Sequence, residues 1–242
     1  MADEPFGRKS EFPGSVVAMK IHYLIVEGQT EQRFAEQILV PRAAAQDIHL
    51  QVFLPRTGRA ASGLSAHGGG AWKHMAGIAG NFLNTPGVDK VGVLFDVYGS
   101  EFAAEYSDLS GYELRSTVQA RAAESILHTV KGDQARRLTV GPVLYEFETL
   151  IIAALASGNT NERGAIVNEA RNAIRRAGGE VELVNGSVST SPSHRVAHWW
   201  EKHLGAKYEK TVDGPRILSE VAWSEIEETC PSFTDWAADF LS

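Results

Sequence analysis

The chain has 242 residues, 43% hydrophobic and 22% charged, with 30 acidic against 23 basic side chains and a net charge of −7. That balance fits a soluble globular protein with one sizeable core; it excludes a wholly basic nucleic-acid coat but not a local basic groove beside an acidic site. The single cysteine, Cys230, excludes an intrachain disulfide framework and cysteine-based zinc fingers, so a reducing, cytoplasmic setting is expected. No apolar run approaches the roughly 20 residues of a membrane span, and the first residues carry no signal-peptide pattern.

Residues 1–18 are polar, hold Pro5, Pro13, Gly7 and Gly14, and show no periodicity. They read as a leader or a native disordered arm, with Met19 as the natural start. Lys20 to Val26 is apolar and β-prone and reads as a buried strand that stops at Glu27-Gly28. Thr30 opens a helix to about Ala45, with Phe34, Ile38 and Leu39 on its buried face. His49 to Leu54 is a second strand, followed by a Gly-rich loop from Arg56 to Gly70, then a helix from about Trp72 to Leu83 with Met75, Ile78 and Phe82 at helical spacing. The loop's Gly68-Gly69-Gly70, between Arg59 and Lys73, is either a hinge or a nucleic-acid contact. It is not a P-loop, since no Gly-Lys-Ser/Thr follows.

After the turn Asn84-Thr85-Pro86-Gly87, Lys90 to Phe95 is a third strand ending at Asp96. Tyr112 to Val130 is a helix, Leu138 to Leu144 a fourth strand, and Phe147 to Ala156 an apolar helix closed by Ser157-Gly158. Strand–helix alternation of this kind predicts an α/β fold with a mainly parallel sheet and helices on both faces. From residue 157 the pattern changes to helices without strands, beginning with Asn161 to Ala177. The expected organisation is an α/β core over 19–156 with a helical extension over 157–242 packed on it.

In open α/β sheets, ligands bind beyond the carboxyl ends of the strands. Glu27 follows strand one, Asp96 follows strand three, and Glu146 and Glu148 follow strand four. Carboxylates gathered there repel one another and call for a cation. Hard oxygen donors without Cys favour Mg²⁺ or Mn²⁺, and such an ion suits phosphoryl-transfer chemistry. Each acid also has an ordinary reading taken singly: Asp96 as a turn cap, Glu31 as a first-turn acid on the helix dipole, Glu148 as a solvated helix residue. Of the last pair, Glu146 is slightly preferred as nearer the strand end.

Val26-Glu27-Gly28-Gln29-Thr30-Glu31 resembles the first motif of TOPRIM-type domains, found in topoisomerases, primases and OLD-type nucleases. The more specific resemblance is to a bacterial TOPRIM-like family known as domain of unknown function 4276. Asp96-Val97-Tyr98, Glu146-Phe147-Glu148, Pro192-Ser193-His194-Arg195, Tyr208-Glu209-Lys210 and the Cys230-Pro231-Ser232-Phe233 ending with Trp236 resemble its further motifs. The resemblance spans nearly everything from Met19 onward. It implies a TOPRIM-like fold, metal-dependent nucleic-acid cleavage, and a role in phage or plasmid defence, often beside an ATPase of the ABC or SMC-like type. One departure matters: TOPRIM domains place Asp-x-Asp after the third strand, and here the second acid is Tyr98. The Glu-Phe-Glu acids are the candidates to replace it.

Downstream, Ser191-Pro192-Ser193 reads as a helix start whose free N–H groups suit phosphate, with Arg195 adding a bidentate contact. Lys207 and Lys210 supply point charge. A capped helix with a solvated basic face is the competing reading. Trp199 and Trp200 are expected in the core, Cys230 as structural, and the histidines are assigned no metal. The leading expectation is a Mg²⁺- or Mn²⁺-dependent nuclease subunit with Glu27, Asp96 and Glu146 or Glu148 on the metal and Ser193, Arg195 and Lys210 on phosphate. The alternatives are a non-catalytic nucleic-acid or nucleotide adaptor, which Tyr98 favours, and a small-molecule phosphohydrolase. A homo-oligomer is compatible with each.

Overall fold

A computed structural model describes residues 19–55, 70–185 and 190–242. The expected leader and all of the glycine-rich loop up to residue 69 lie outside them. Four strands, β1 (Lys20–Val26), β2 (Ile48–Phe53), β3 (Lys90–Asp96) and β4 (Leu138–Val143), form one sheet in the order β2-β1-β3-β4 with every pair parallel. Strands one, three and four are thus parallel neighbours, as the alternation predicts. The second strand begins and ends one residue earlier than expected.

Between β1 and β2 the chain forms α1 (Gln29–Phe34), a π-helical turn (Ala35–Leu39) and α2 (Val40–Ala44). The π turn comes just before Pro41, which has no N–H and would press on the carbonyl of Gln37 in a regular helix; the wider turn relieves that clash. Then follow α3 (Gly70–Leu83), a short α4 (Phe102–Glu105) that periodicity did not signal, α5 (Gly111–Leu127), α6 (Glu148–Ser157) and α7 (Gly164–Arg176). The last stretch holds α8 (Pro192–Leu204), α9 (Lys210–Ser219), α10 (Trp223–Thr229) and α11 (Pro231–Phe240). No helix of the described residues is long and apolar enough to cross a membrane.

Helices cover both sheet faces because strand side chains alternate. Leu24, Val26, Leu94 and Val143 face one core with α1, α2 and α6 to α11, while Ile25, Val91, Val93, Phe95 and Val140 face the other with α3 and α5. Helix α11 returns to lie on β4 and β3. It does so over two glycines: a Cβ on Gly141 would stand 2.4 Å from the Trp236 ring, and one on Gly92 would stand 2.8 Å from Phe240. Trp236 and Phe240 stack with ring centroids 5.6 Å apart. Trp199, Trp200 and Cys230 are buried, in line with the reading of the sequence.

β4 is an edge strand, and its outer carbonyls are covered. Arg115 Nε donates to Pro142 O at 3.0 Å and Gln119 Nε2 to Val140 O at 2.7 Å. Pro142 itself has no N–H to offer. The edge is therefore closed to a pairing strand from another chain.

Candidate active site

The strand order puts β1 beside β3, with β2 and β4 on the outside. The chain changes direction of sheet growth at that junction, where open α/β sheets place their ligands. Val26 is in register with Leu94, so Glu27 and Asp96 emerge next to each other. Glu27 N–H donates to Leu94 O at 3.2 Å, and Glu27 Oε2 accepts from Asp96 N–H at 3.1 Å. Gly99 permits this: a Cβ there would stand 2.7 Å from Glu27 Oε1.

Glu31 joins them. It is 7% exposed, and its carboxylate folds back over Gly28, where a Cβ would stand 2.5 Å from Oε2. Taken singly, the sequence offers Glu31 only as a first-turn acid on the helix dipole. The signal that could have found it was the glycine three positions earlier, which leaves room for the carboxylate against the backbone. Burial, followed by the nearby Glu27 and Glu148 carboxylates, raises Glu31 to about 7. Asp96 keeps some exposure as a residue, yet its Oδ1 is buried with no hydrogen-bond partner among the described residues. Desolvation, then Glu31, Glu27, Glu148 and Glu146, push its carboxyl well above the usual range.

The link from β4 to α6 delivers the remaining acids. Tyr145 sits in the left-handed region at φ 68, which is uncommon for a residue with a Cβ. Its carbonyl accepts from Tyr98 N–H at 2.9 Å, its hydroxyl accepts from Gly111 N–H at 3.1 Å, and its ring packs on Tyr98 at 5.0 Å. This turn separates Glu146 and Glu148. Glu146 Oε2 accepts from Ser193 N–H at 2.8 Å, so it caps α8. Glu148, at the start of α6, is 2% exposed, which corrects its reading as a solvated helix residue. Lys210 Nζ lies 3.2 Å from Glu148 Oε1. Burial still raises the Glu148 carboxyl more than Lys210 lowers it. For Lys210, burial opposes the charge, but Glu148, then Glu146 and Asp96, outweigh it and the ammonium is held more firmly. The Tyr208 hydroxyl is buried beside these groups without a partner among the described residues.

The phosphate-binding expectations are distributed differently. The Ser193 N–H offered to phosphate is already given to Glu146. Lys210 is spent on Glu148, though its side chain is 52% exposed. Lys207 is exposed and lies 3.7 Å from Glu209. Arg195 makes no ion pair with the acids among the described residues; its Nη2 lies 3.5 Å from Asn185 O. Tyr98, where the resembling domains carry an acid, accepts a hydrogen bond from Asn185 Nδ2.

Among the described residues, no three His, Cys, Asp or Glu side chains already form a ligand set for a metal ion. The donor chemistry nevertheless fits a hard divalent cation. All the donors are oxygens, their charges oppose one another, and Asp96 Oδ1 has no partner. In the absence of a cation the ionised cluster costs stability. The folded protein holds a proton on Glu31 between about pH 4.5 and 7 that the unfolded chain has lost, so this group's stability contribution falls as pH rises through that window. Glu31→Gln is therefore expected to match wild type near pH 4.5 and to exceed it by about 3 kcal/mol at pH 8. Urea unfolding of both proteins across that range checks this; a difference independent of pH would refute it.

Residues 26–240 match the family model described as Domain of unknown function (DUF4276). No curated protein and no solved structure matches the chain.

Proposed function

We propose, from the premise that the chain belongs to the DUF4276 family, that it is a metal-dependent phosphodiesterase acting on nucleic acid. The observation that carries this reading is Asp96 Oδ1, buried and unpartnered among the described residues at the β1–β3 junction, with four other carboxylates pressing on it. Glu27, Asp96 and Glu148 are the residues that would hold Mg²⁺ or Mn²⁺, with Glu31 beside them and Glu146 acting mainly through its cap on α8. Such an ion neutralises phosphate charge and lowers the pKa of a bound water.

The chain's own residues supply the rest. The Asp96 N–H fixes the rotamer of Glu27. Glu31, titrating near neutrality, is suited to hold or accept a proton. Lys210 balances Glu148 in the absence of a ligand and, being half exposed, has room to turn to an incoming phosphate. The resemblance adds a defence setting and an ATPase partner to the proposal.

The experiment is cleavage of single- and double-stranded DNA and of RNA with Mg²⁺ or Mn²⁺, with and without the ATPase. Glu27→Ala is expected to lose activity by at least 100-fold while keeping the fold, because its side chain stands at a strand end and leaves no core cavity. Full activity in Glu27→Ala would remove these acids from the chemistry. Tyr98, engaged with Asn185 and Tyr145 where an acid would stand, supports a second reading as a nucleic-acid-binding adaptor. Tight binding with no cleavage under any of these conditions would favour it.

A further inference from the structure

Most of the described arginines that face the protein are firmly held. Arg115, Arg163, Arg171 and Arg216 each donate to a carbonyl or carboxylate within 3.0 Å. Arg195 differs. Among the described residues it donates to Asn185 O at 3.5 Å, and its Nε is buried with no partner there. Arg176 ends α7, which packs against α8. Neither arginine forms an ion pair among the described residues. Desolvation, and then the Arg176 charge, lower the proton affinity of Arg195. α7 and α8 pack antiparallel, Arg163 at the start of one donating to His203 O near the end of the other and Glu169 pairing with Lys202. Arg176 at the end of α7 and Arg195 in the first turn of α8 therefore come to the same end of the helix pair. Two cations placed there repel, and an anion between them relieves that repulsion.

The place of the pair gives the anion its context. Arg195 is two residues from Ser193, whose N–H holds Glu146, and Asn185 holds the hydroxyl of Tyr98, two residues beyond Asp96. We propose that Arg195 and Arg176, with Asn185 and Tyr98 at their side, form an anion subsite for a phosphodiester phosphate of a nucleic-acid strand that continues across the acid cluster. The strand's course rests on the functional reading above; the anion binding itself needs no metal. On this view Tyr98 is a wall between the acids and the phosphate subsite. A second phosphate position next to the acids selects a strand over a monophosphate.

The test is binding of a fluorescently labelled single-stranded oligonucleotide in EDTA over a range of salt concentrations. Wild type is expected to bind with a salt-dependent affinity. The double variant Arg176→Gln, Arg195→Gln is expected to bind about tenfold more weakly at low salt, with a log–log slope shallower by about 0.7, the contribution of one single-strand phosphate. Arg176→Gln alone, at an exposed helix end, keeps the fold and is expected to lose about half of that slope change. Asp96→Asn is expected to retain this binding even if it fails to bind Mn²⁺, which separates the subsite from the metal reading. Three results would overturn the proposal: no binding by wild type, an unchanged slope in the double variant, or displacement of the oligonucleotide by inorganic phosphate at equal concentration.

Discussion

Asp96→Asn is expected to raise the stability of the metal-free protein at pH 7 and to abolish its response to Mn²⁺. The wild-type carboxyl is raised by desolvation and by Glu31, Glu27, Glu148 and Glu146, and its Oδ1 has no partner among the described residues. A carboxyl whose folded pKa is raised destabilises the fold once pH exceeds the unfolded value, so the benefit of the amide is absent in acid and grows toward neutrality. The amide also removes a charge that the Glu31, Glu27, Glu148 and Glu146 carboxylates oppose. The gain is on the order of 1–3 kcal/mol, the penalty for an unsatisfied buried group, and each kcal/mol moves the melting temperature by roughly 2–4 °C in a chain of this size. Mn²⁺ binding only the folded state raises the wild-type melting temperature in proportion to the logarithm of its concentration; the variant's is expected to stay flat. Equal Mn²⁺ stabilisation of both proteins would exclude Asp96 as a ligand.

Gly141→Val is expected to be the most damaging substitution outside the acid cluster. The Gly141 Cβ position lies 2.4 Å from Cδ2 and Cε2 of Trp236, in a ring stack that includes Phe240. Neither the strand nor the indole has room to move, since Gly92 is already closed by Phe240 and Leu24. Adding one methyl costs about 1–3 kcal/mol by overpacking, and the branched side chain about 4 kcal/mol or more. Chemical denaturation gives the loss. A double-mutant cycle with Trp236→Leu is expected to recover part of it, because the two positions share one space. A Gly141→Ala protein as stable as wild type would show that α11 does not press on β4 as described.

Glu27 and Asp96 could be located from sequence because their position depends only on local order. Each follows an apolar β-prone run, and alternation of strands with helices makes the strands parallel, so their carboxyl ends share one edge. Glu31 could not be placed in the same way. Its burial depends on the bare Cα of Gly28 and on Glu148 from a distant helix, whereas its spacing alone matches an ordinary helix-dipole acid. The choice between Glu146 and Glu148 also depended on backbone geometry. Tyr145 at φ 68 turns Glu146 toward the N-terminus of α8 and leaves Glu148 buried against Lys210. Neither strand nor helix periodicity foresees that turn.

What the sequence by itself determined is the set of strands, their parallel sense and the side of the sheet on which the acids gather. Side-chain period and apolar run length are encoded within a few neighbouring residues. Only the tertiary structure decided that Lys210 supplies the counter-charge of Glu148, that Glu146 occupies the helix terminus otherwise open to phosphate, and that Arg195 is left without a close partner among the described residues. Those outcomes depend on which surfaces can pack together. Trp236 reaches β4 only across Gly141, and the helices that carry Lys210 and Arg195 are placed by the core they bury against α6. Packing of that kind joins residues far apart in the chain, and no local pattern specifies it.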